Sequence, residues 1–215
     1  MSEFEKLAEA VFAGDDDQAQ EITRKLIDGG ASPMEIVNKG LLAGMDIVAP
    51  KFKAGEMFIP EVMMSAKALS EGMKLVKPLL SAADAAGMAT FVMGTVKGDL
   101  HDIGKNLVVM ILESSGFNVV DLGVDVAPEQ FVAAIKEHKP LIVGMCALLT
   151  TTMMAMKDTI DCITAAGLRD SVRILIGGAP LYPEFAEKIG ADGYCVDAVA
   201  CKEMAASFIP AKIRN

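Results

Sequence analysis

Length, composition and charge already exclude several classes of protein. The chain has 215 residues, enough for one large domain or two modest ones. Lys and Arg total 20 against 29 Asp and Glu, a formal net charge of −9, so a phosphate backbone would be repelled and nucleic acid is not expected as a ligand. The longest apolar run, residues 141–149, is far short of the roughly twenty residues that cross a bilayer. The amino terminus has no secretory signal, so the cytoplasm is the predicted location.

The cysteines follow no spacing typical of a zinc site or a disulfide framework. Cys146, Cys162, Cys195 and Cys201 form no CxxC pair, and their apolar or helical surroundings favour thiols that pack as small hydrophobic side chains. The 15 methionines, with no Trp, favour either core filling or an adaptable apolar surface.

Residues 1–84 predict a bundle of four helices. Helical spacing of apolar residues begins at Phe4, and the acidic run Asp15–Asp17 separates this helix from a second one. Ser32–Glu35 predicts a capping box, with proline at the first position of a third helix that fades near residues 53–55. The fourth helix is predicted to begin at Pro60.

A segment of small residues, 81–87, predicts the boundary to a second domain over residues 88–215. There, short apolar runs alternate with amphipathic helices, which predicts a doubly wound parallel sheet of five strands. The predicted strands are Ala89–Met93, Asn118–Leu122, Leu141–Leu148, Val172–Ile176 and Gly193–Val196. The predicted helices begin near Gly104, Pro128, Thr152, Leu181 and Val199. Ligands of this fold bind beyond the carboxyl ends of the strands, so a site is expected in those loops.

The loop after the first strand, Gly94–Asn106, contains one of two histidines. Asp99 stands two residues before His101, close enough for its carboxylate to accept one imidazole N–H and leave the other nitrogen for a metal. The other interpretation is a surface histidine beside acids in a glycine-rich turn. The residues of this loop alone leave both open.

Two further interpretations fit this loop less well. Its glycines match neither the GxxxxGK[ST] nor the GxGxxG phosphate pattern, although a helix start near Gly104 could attract an anion. A zinc site lacks ligands, because His138 belongs to another helix and no cysteine stands in a ligand motif. If His101 binds a metal, most of the other ligands must come from a cofactor.

The loops after the third and fourth strands carry small side chains. Residues 144–152 place small and hydroxyl groups around Cys146, where a ligand would lie. The pair Gly177-Gly178 ends the fourth strand and leaves a slot that a flat aromatic group could enter, unless it forms an ordinary tight turn.

Together these loops resemble the cofactor loops of cobalamin-binding domains. They are similar in order and spacing to the DxHxxG, SxL and GG motifs of that family, and read here Asp99-x-His101-x-x-Gly104, Cys146-x-Leu148 and Gly177-Gly178. Residues 55–62 resemble the helical cap module of cobalamin-dependent methionine synthase and of the corrinoid proteins of anaerobic methyltransferase systems. The resemblance covers nearly the whole chain and implies a four-helix cap followed by a Rossmann-like cobalamin-binding domain.

The resemblance implies roles for individual residues. His101 would be the lower axial ligand of cobalt in place of the cofactor's own benzimidazole, with Asp99 as its hydrogen-bonding partner and Thr152 as the hydroxyl that completes the relay. Positions that match contacts to the corrinoid or its nucleotide tail are Gly98, Asp102, Gly104, Leu148, Thr150, Gly177, Gly178 and Ala198. Apolar cap residues over the upper face of cobalt would be Phe52, Ile59 and Val62.

Cys146 departs from the family pattern. It stands where the SxL motif has a serine that hydrogen-bonds the buried benzimidazole, and a thiol is a weak donor. Cobalamin binding would lose about 1 kcal/mol against a hydroxyl bond. The departure is compatible with a corrinoid that carries a different lower base.

The resemblance further implies a methyl carrier, a non-catalytic component of a multi-protein methyltransferase system. Co(I) would accept a methyl group from a substrate-specific methyltransferase, and methyl-Co(III) would pass it to a second methyltransferase that acts on a pterin or thiol acceptor. A reductive activator is a further implied partner. The donor, whether methanol, a methylamine, glycine betaine or a methoxylated aromatic, would be set by the partner enzyme. Met57, Met63 and Met64 fit an adaptable partner surface, with core packing as the alternative.

Two other functions resemble this pattern in part: a cobalamin-dependent sensor or regulator, which uses the same bundle-plus-sheet module, and a cobalamin subunit of a mutase or aminomutase. A cobalamin-dependent sensor or regulator usually carries a DNA-binding helix-turn-helix, and residues 1–80 show neither a basic recognition helix nor a positive balance. A cobalamin subunit of a mutase would explain the sheet but not the cap, because radical enzymes expose the upper face of the cofactor to a substrate barrel. The methyl carrier therefore ranks first and the regulator second.

Overall fold

The structure, a computed structural model, describes residues 1–80 and 89–209. These residues form two compact units. The first comprises the helices of residues 1–80 with the turn at Glu113–Gly116, and the second comprises the other described residues. The predicted boundary segment 81–87 lies outside the described residues, so the domain limits at 84 and 88 stay a prediction. Over the described ranges, no helix has the length and apolar character needed to cross a membrane.

Four helices form the first unit, as the sequence predicts. Helix α1 spans Glu3–Ala13, α2 spans Asp16–Asp28, and α4 spans Ile59–Val76 and continues into a 3-10 turn at Lys77–Leu79. Helix α3 is a continuous helical run in three parts, which are Pro33–Glu35, a π-helical segment at Ile36–Leu42 and an α-helical segment at Ala43–Lys53. The π-helical segment was not predicted, because apolar periodicity does not distinguish it from an α-helix.

The starts of α1 and α3 use different local chemistry. At α1, the Ser2 hydroxyl accepts the N–H of Glu5 at 3.2 Å and the Glu5 carboxylate accepts the N–H of Ser2 at 2.6 Å, a complete capping box. The capping box predicted at Ser32 is wrong, because its side chain makes no capping hydrogen bond. The fixed φ of Pro33 begins α3 there without that bond.

Small residues allow α3 to pack closely against α1. A Cβ added to Gly40 would lie 2.5 Å from the Cδ2 atom of Leu7, and one added to Gly44 would lie 2.6 Å from the Cβ atom of Val11. Both positions therefore require glycine. The largest side chains of this core, including Leu7, are fully buried.

The second unit contains a five-stranded parallel sheet in the order β2-β1-β3-β4-β5. The strands are β1 Thr90–Thr95, β2 Asn118–Asp121, β3 Ile142–Cys146, β4 Arg173–Gly177 and β5 Gly193–Cys195. The order reverses between β1 and β3, which is the switch point where ligands bind in doubly wound folds. Thr95 pairs with Cys146 and Cys146 with Gly177, so the ends of β1, β3 and β4 are level at one edge of the sheet.

Helices cover both faces of this sheet, which confirms the predicted fold class. They are α5 Ile103–Glu113, α6 Pro128–His138, α7 Met153–Ala165, α8 Pro183–Ile189 and α9 Ala198–Phe208. Helices α6, α7 and α8 bury apolar side chains such as Phe131 and Ile163 on one face. Helices α5 and α9 bury Leu112 and Ala205 on the other face, with Phe91 of β1.

The ends of β1 and β3 differ from the predicted ends. Strand β1 continues to Thr95, whose N–H donates to the carbonyl of Gly123 at 3.0 Å. Strand β3 stops at Cys146, two residues before the predicted end, because the N–H of Leu148 turns away to the Asp99 carboxylate at 2.7 Å. This backbone donor ties the loop after β3 to the loop after β1.

Candidate functional site

The Asp99 carboxylate is fully buried and joins two loops. Its Oδ1 atom lies 2.6 Å from Nδ1 of His101 and accepts the backbone N–H of the same residue at 3.1 Å. Its Oδ2 atom accepts the N–H of Leu148 at 2.7 Å, the N–H of Leu149 at 3.3 Å and the hydroxyl of Thr152 at 2.8 Å. The structure thus brings together the three residues predicted to form the reaction centre, Asp99, His101 and Thr152.

These contacts determine the charge on Asp99 and the tautomer of His101. Burial by itself would raise the pKa of Asp99, but hydrogen bonds from the N–H of Leu148, from His101 and from Thr152 outweigh it and hold that pKa well below its usual range. An ionised carboxylate only accepts hydrogen bonds, so the network assigns the imidazole proton to Nδ1. No described residue hydrogen-bonds Nε2, and half of the His101 side chain is exposed, so this nitrogen is free to bind a metal.

Backbone contacts hold the loop after β1 in place. The Thr95 hydroxyl donates to the carbonyl of His101 at 2.9 Å, and the N–H of Asp125 donates to the carbonyl of Asp99 at 3.0 Å. The Gly98 N–H donates to Oδ1 of Asp125 at 2.7 Å, with Gly98 at a left-handed φ of 85°. Thr95 and Asp125 were not predicted, because their roles depend on the pairing of strands and leave no local motif.

A cavity of about 640 Å³ opens beside His101 at the carboxyl ends of β1, β3, β4 and β5. It extends between the first turns of α5 and α9, over the sheet face that carries Cys146 and Cys195. Its walls are mainly apolar, and the exposed side chains of Leu100 and Ile103 flank His101 at its rim. A volume of this size lies within the usual range for small-molecule and cofactor sites.

Bare backbone forms part of the cavity wall at the end of β4. Gly178 has a φ of 139°, and a Cβ added there would overlap the carbonyl oxygen of Ala147. A Cβ added to Gly177 would lie 3.1 Å from the carbonyl oxygen of Cys195. The two glycines therefore bring neighbouring chain segments into contact and leave a surface without side chains, which suits a flat group.

The half-buried Cys146 and the buried Lys105 are two ionisable residues that line this cavity. Burial raises the pKa of the Cys146 thiol to about 12, against the opposing charge of the Lys105 ammonium, so the thiol is protonated at neutral pH. The Lys105 side chain is 2% exposed, and its Nζ atom lies 2.5 Å from Oδ2 of Asp121 and 2.7 Å from Oδ1 of Asn106. This ion pair was not predicted from the sequence.

The other predicted site residues fall into three groups. Those that line the cavity with His101 are Asp102, Gly104, Cys146, Leu148, Gly177, Gly178 and Ala198. Gly98 and Thr150 lie outside its lining. The predicted cap residues belong to the helical unit, where Phe52 is half-buried, Ile59 exposed and Val62 buried, and their relation to a cofactor stays a prediction.

Several lining residues were not predicted as ligands, among them Leu100, Ile103, Cys195 and Cys201. Leu100 is 71% exposed and Ile103 is 84% exposed, on either side of His101. Two apolar residues beside the histidine of a glycine-rich loop could have been recognised in the sequence as candidates to contact a ligand. Cys195 and Cys201 gave no such signal, because their place on the cavity depends on how α9 packs on the sheet.

The geometry defines a class of protein that holds an organometallic cofactor. The buried Asp99 carboxylate holds Nδ1 of a single imidazole, which leaves Nε2 available at a mainly apolar cavity. This cavity ends in a flat wall of glycine backbone. This donor set fits a metal that brings its remaining ligands in an organic macrocycle, together with a flat appended group.

Comparison with known proteins identifies the family. Residues 89–200 and residues 3–77 each match a family model described as a B12 binding domain. A corrinoid protein of Desulfitobacterium hafniense (strain Y51) is 38% identical over 208 residues, which cover 95% of this chain and 96% of that protein. The trimethylamine corrinoid protein of Methanosarcina barkeri is 40% identical over 191 residues, 88% of each chain.

Solved structures that are similar to this chain are also of cobalamin-binding proteins. The crystal structure of the methanol:cobalamin methyltransferase complex from Methanosarcina barkeri has a TM-score of 0.86 at 33% identity, covering 95% of this chain and 78% of that chain. A cobalamin-binding protein from Desulfitobacterium hafniense DCB-2 has a TM-score of 0.72 at 31% identity, covering 98% and 100%. The chain therefore belongs to the B12-binding corrinoid proteins of methyltransferase systems, and its cofactor is cobalamin or a related corrinoid. The resemblance found in the sequence motifs is confirmed.

Proposed function

We propose that this protein carries methyl groups between two methyltransferases. It would receive the group from a substrate-specific methyltransferase and deliver it to a second one that acts on a pterin or thiol acceptor, with a reductive activator as a further partner. The bound corrinoid supplies a cobalt centre that accepts and releases a methyl group. The single observation that carries the proposal is the 2.6 Å contact between Asp99 and Nδ1 of His101, which leaves Nε2 free at the cavity.

In this proposal the residues around His101 would hold its imidazole as a protein ligand of cobalt. Asp99 keeps the proton at Nδ1, and the N–H of Leu148 and the hydroxyl of Thr152 keep the carboxylate ionised and in place. Such outer partners fix the ring orientation and raise the basicity of a ligating imidazole. Because Oδ1 also accepts the backbone N–H of His101, the ring and its own backbone are fixed to the same oxygen.

The cavity residues would hold the rest of the cofactor. The bare backbone at Gly177 and Gly178 would receive a flat base beside Cys146, and the exposed Leu100 and Ile103 would lie against the apolar macrocycle. Covering these side chains would exclude water from the lower face. On the helical unit, Phe52, Ile59 and Val62 remain the residues proposed to shield the upper face.

The names of the relatives support a carrier whose substrate is selected elsewhere. Relatives named for trimethylamine, dimethylamine and monomethylamine are 40%, 40% and 38% identical to this chain. Because this chain is almost equally similar to corrinoid proteins named for three different amines, we assign the choice of methyl donor to the partner methyltransferase. The donor and the final acceptor of this protein follow from its partners.

Reconstitution under anaerobic conditions tests the proposal. The protein is incubated with hydroxocobalamin, separated from free cofactor by gel filtration, reduced with titanium(III) citrate and treated with ¹⁴C-iodomethane. We expect stoichiometric corrinoid and stoichiometric label in the protein fraction, with the label dependent on both cofactor and reductant. Failure to retain corrinoid, or retention of corrinoid without label, would contradict a carrier role.

A further inference from the structure

Lys105 is a buried ammonium for which the roles assigned so far give no use. It lies in the first turn of α5, with 2% of its side chain exposed. Lysine is almost never fully buried unless it is paired, and here its partner is Asp121 at the end of β2, whose side chain is 35% exposed. Placing a charge in the interior is costly, so its position requires an explanation.

Stability does not provide that explanation. A buried ion pair contributes little net stability, because loss of hydration offsets most of the attraction between its charges. Asp121 also has a structural bond of its own, since its Oδ1 accepts the N–H of Gly123 at 2.9 Å. Apolar residues in place of both Lys105 and Asp121 would avoid the cost of burying a charge.

The ammonium instead has one donor without a partner among the described residues. A lysine has three N–H donors, and the acceptors among the described residues are Oδ2 of Asp121 and Oδ1 of Asn106. Lys105 lines the cavity together with Cys146, and its charge acts on that thiol. The unused donor therefore belongs to a residue that borders the cavity together with Cys146, beside which the flat base is proposed to lie.

We infer that Lys105 binds the nucleotide arm of the corrinoid by donating its third ammonium hydrogen to an oxygen or nitrogen acceptor of that arm. The inference rests on the proposed corrinoid site and adds a specificity-determining residue to it. Asp121 and Asn106 position the ammonium. The arm offers two acceptors of this chemistry, the phosphate that links it to the macrocycle and the base at its end.

Corrinoids that differ only in the arm test the inference. Dissociation constants are measured by ultrafiltration for hydroxocobalamin, which has the complete arm, and for cobinamide, which lacks phosphate, ribose and base. We expect Lys105→Met to weaken cobalamin binding by about tenfold or more and to change cobinamide binding by less than about twofold, because bonds to charged groups are the stronger class. Lys97→Met is the charge-matched control, since Lys97 is exposed in the same loop region and outside the lining, and it should leave both constants unchanged.

The other outcomes of these binding measurements distinguish a wrong inference about Lys105 from a wrong proposed function. Equal weakening of both corrinoids by Lys105→Met, or no weakening of either, would overturn the inference while leaving the proposed function intact. Absence of cobalamin binding by the wild type would instead overturn the proposed function. Cobinamide phosphate, which has the phosphate but not the base, identifies the acceptor. If Lys105→Met weakens binding of this corrinoid, the bond is to the phosphate; if its dissociation constant is unchanged, the bond is to the base. If Lys105→Met fails to fold, the double variant Lys105→Met with Asp121→Asn, which removes both charges of the pair, takes its place in the same binding measurements.

Discussion

The Oδ1 atom of Asp99 lies 2.6 Å from the Nδ1 atom of His101, and this contact determines which imidazole nitrogen is available at the cavity. The carboxylate is buried and the imidazole is half exposed, so one member of the pair is fixed inside the protein and the other lines the cavity. All other proposed roles in the site depend on this arrangement.

The ionised state of Asp99 should make stability depend on pH in the acid range. Its folded pKa is depressed, so its contribution is complete above the unfolded value of about 3.9 and is lost as the pH falls through the folded value, which lies lower. We expect Asp99→Asn to lower the free energy of unfolding by about 1 to 3 kcal/mol at pH 7. Urea unfolding at a series of pH values should show the gap to wild type shrink below about pH 4.

Asp102→Asn provides the control for that prediction, because Asp102 is exposed in the same loop. It should change the free energy of unfolding by less than about 0.5 kcal/mol at every pH. A gap between wild type and Asp99→Asn that stayed constant down to low pH would mean that the charge on Asp99 is not what stabilises the fold.

The hydroxyl of Thr152 should matter more than its methyl group. It donates to Oδ2 of Asp99 at 2.8 Å, inside the protein. Thr152→Val removes the donor at nearly constant shape and should lower the free energy of unfolding by about 1 to 2 kcal/mol, whereas Thr152→Ser keeps the donor and should cost less. Urea unfolding of both variants decides this, and equal losses would show that the hydroxyl contributes nothing.

Gly178 should not tolerate a side chain. Its φ of 139° and the overlap of an added Cβ with the carbonyl of Ala147 predict that Gly178→Ala lowers the free energy of unfolding by about 2 kcal/mol or more. Gly190→Ala is the matched control, because its φ is 82° and nothing lies within 4 Å of an added Cβ, which isolates the backbone strain. Thermal unfolding that ranked the two variants equally would contradict the overlap.

The protonated thiol of Cys146 should be a poorer partner for a buried base than a hydroxyl. Its pKa of about 12 keeps it neutral, and a thiol is a weak donor. We expect Cys146→Ser to bind cobalamin about two- to tenfold more tightly than the wild-type protein does, the range for one neutral hydrogen bond. Equal affinities, measured by ultrafiltration, would mean that no base contacts this position.

The sequence predicts best what depends on neighbouring residues. The pairing of Asp99 with His101 spans two positions, and the existence and order of β1, β3 and β4 follow from apolar runs. The pair of Lys105 and Asp121 was not predictable, because it requires β2 to lie beside β1 and α5 to pack above both. The two-residue error at the end of β3 has the same origin, since the N–H of Leu148 leaves the strand for a carboxylate on a distant loop.

The central claim is that Nε2 of His101 binds cobalt, and electron paramagnetic resonance of the Co(II) protein tests it most directly. The chain has two histidines, so ¹⁵N-histidine labelling marks only His101 and His138, and His138→Gln removes the second. With unlabelled cobalamin, axial coordination by His101 predicts that labelling changes the nitrogen superhyperfine pattern from triplets to doublets, with or without His138. Triplets that persist in the labelled protein would show that the cofactor's own base, not His101, is the axial ligand.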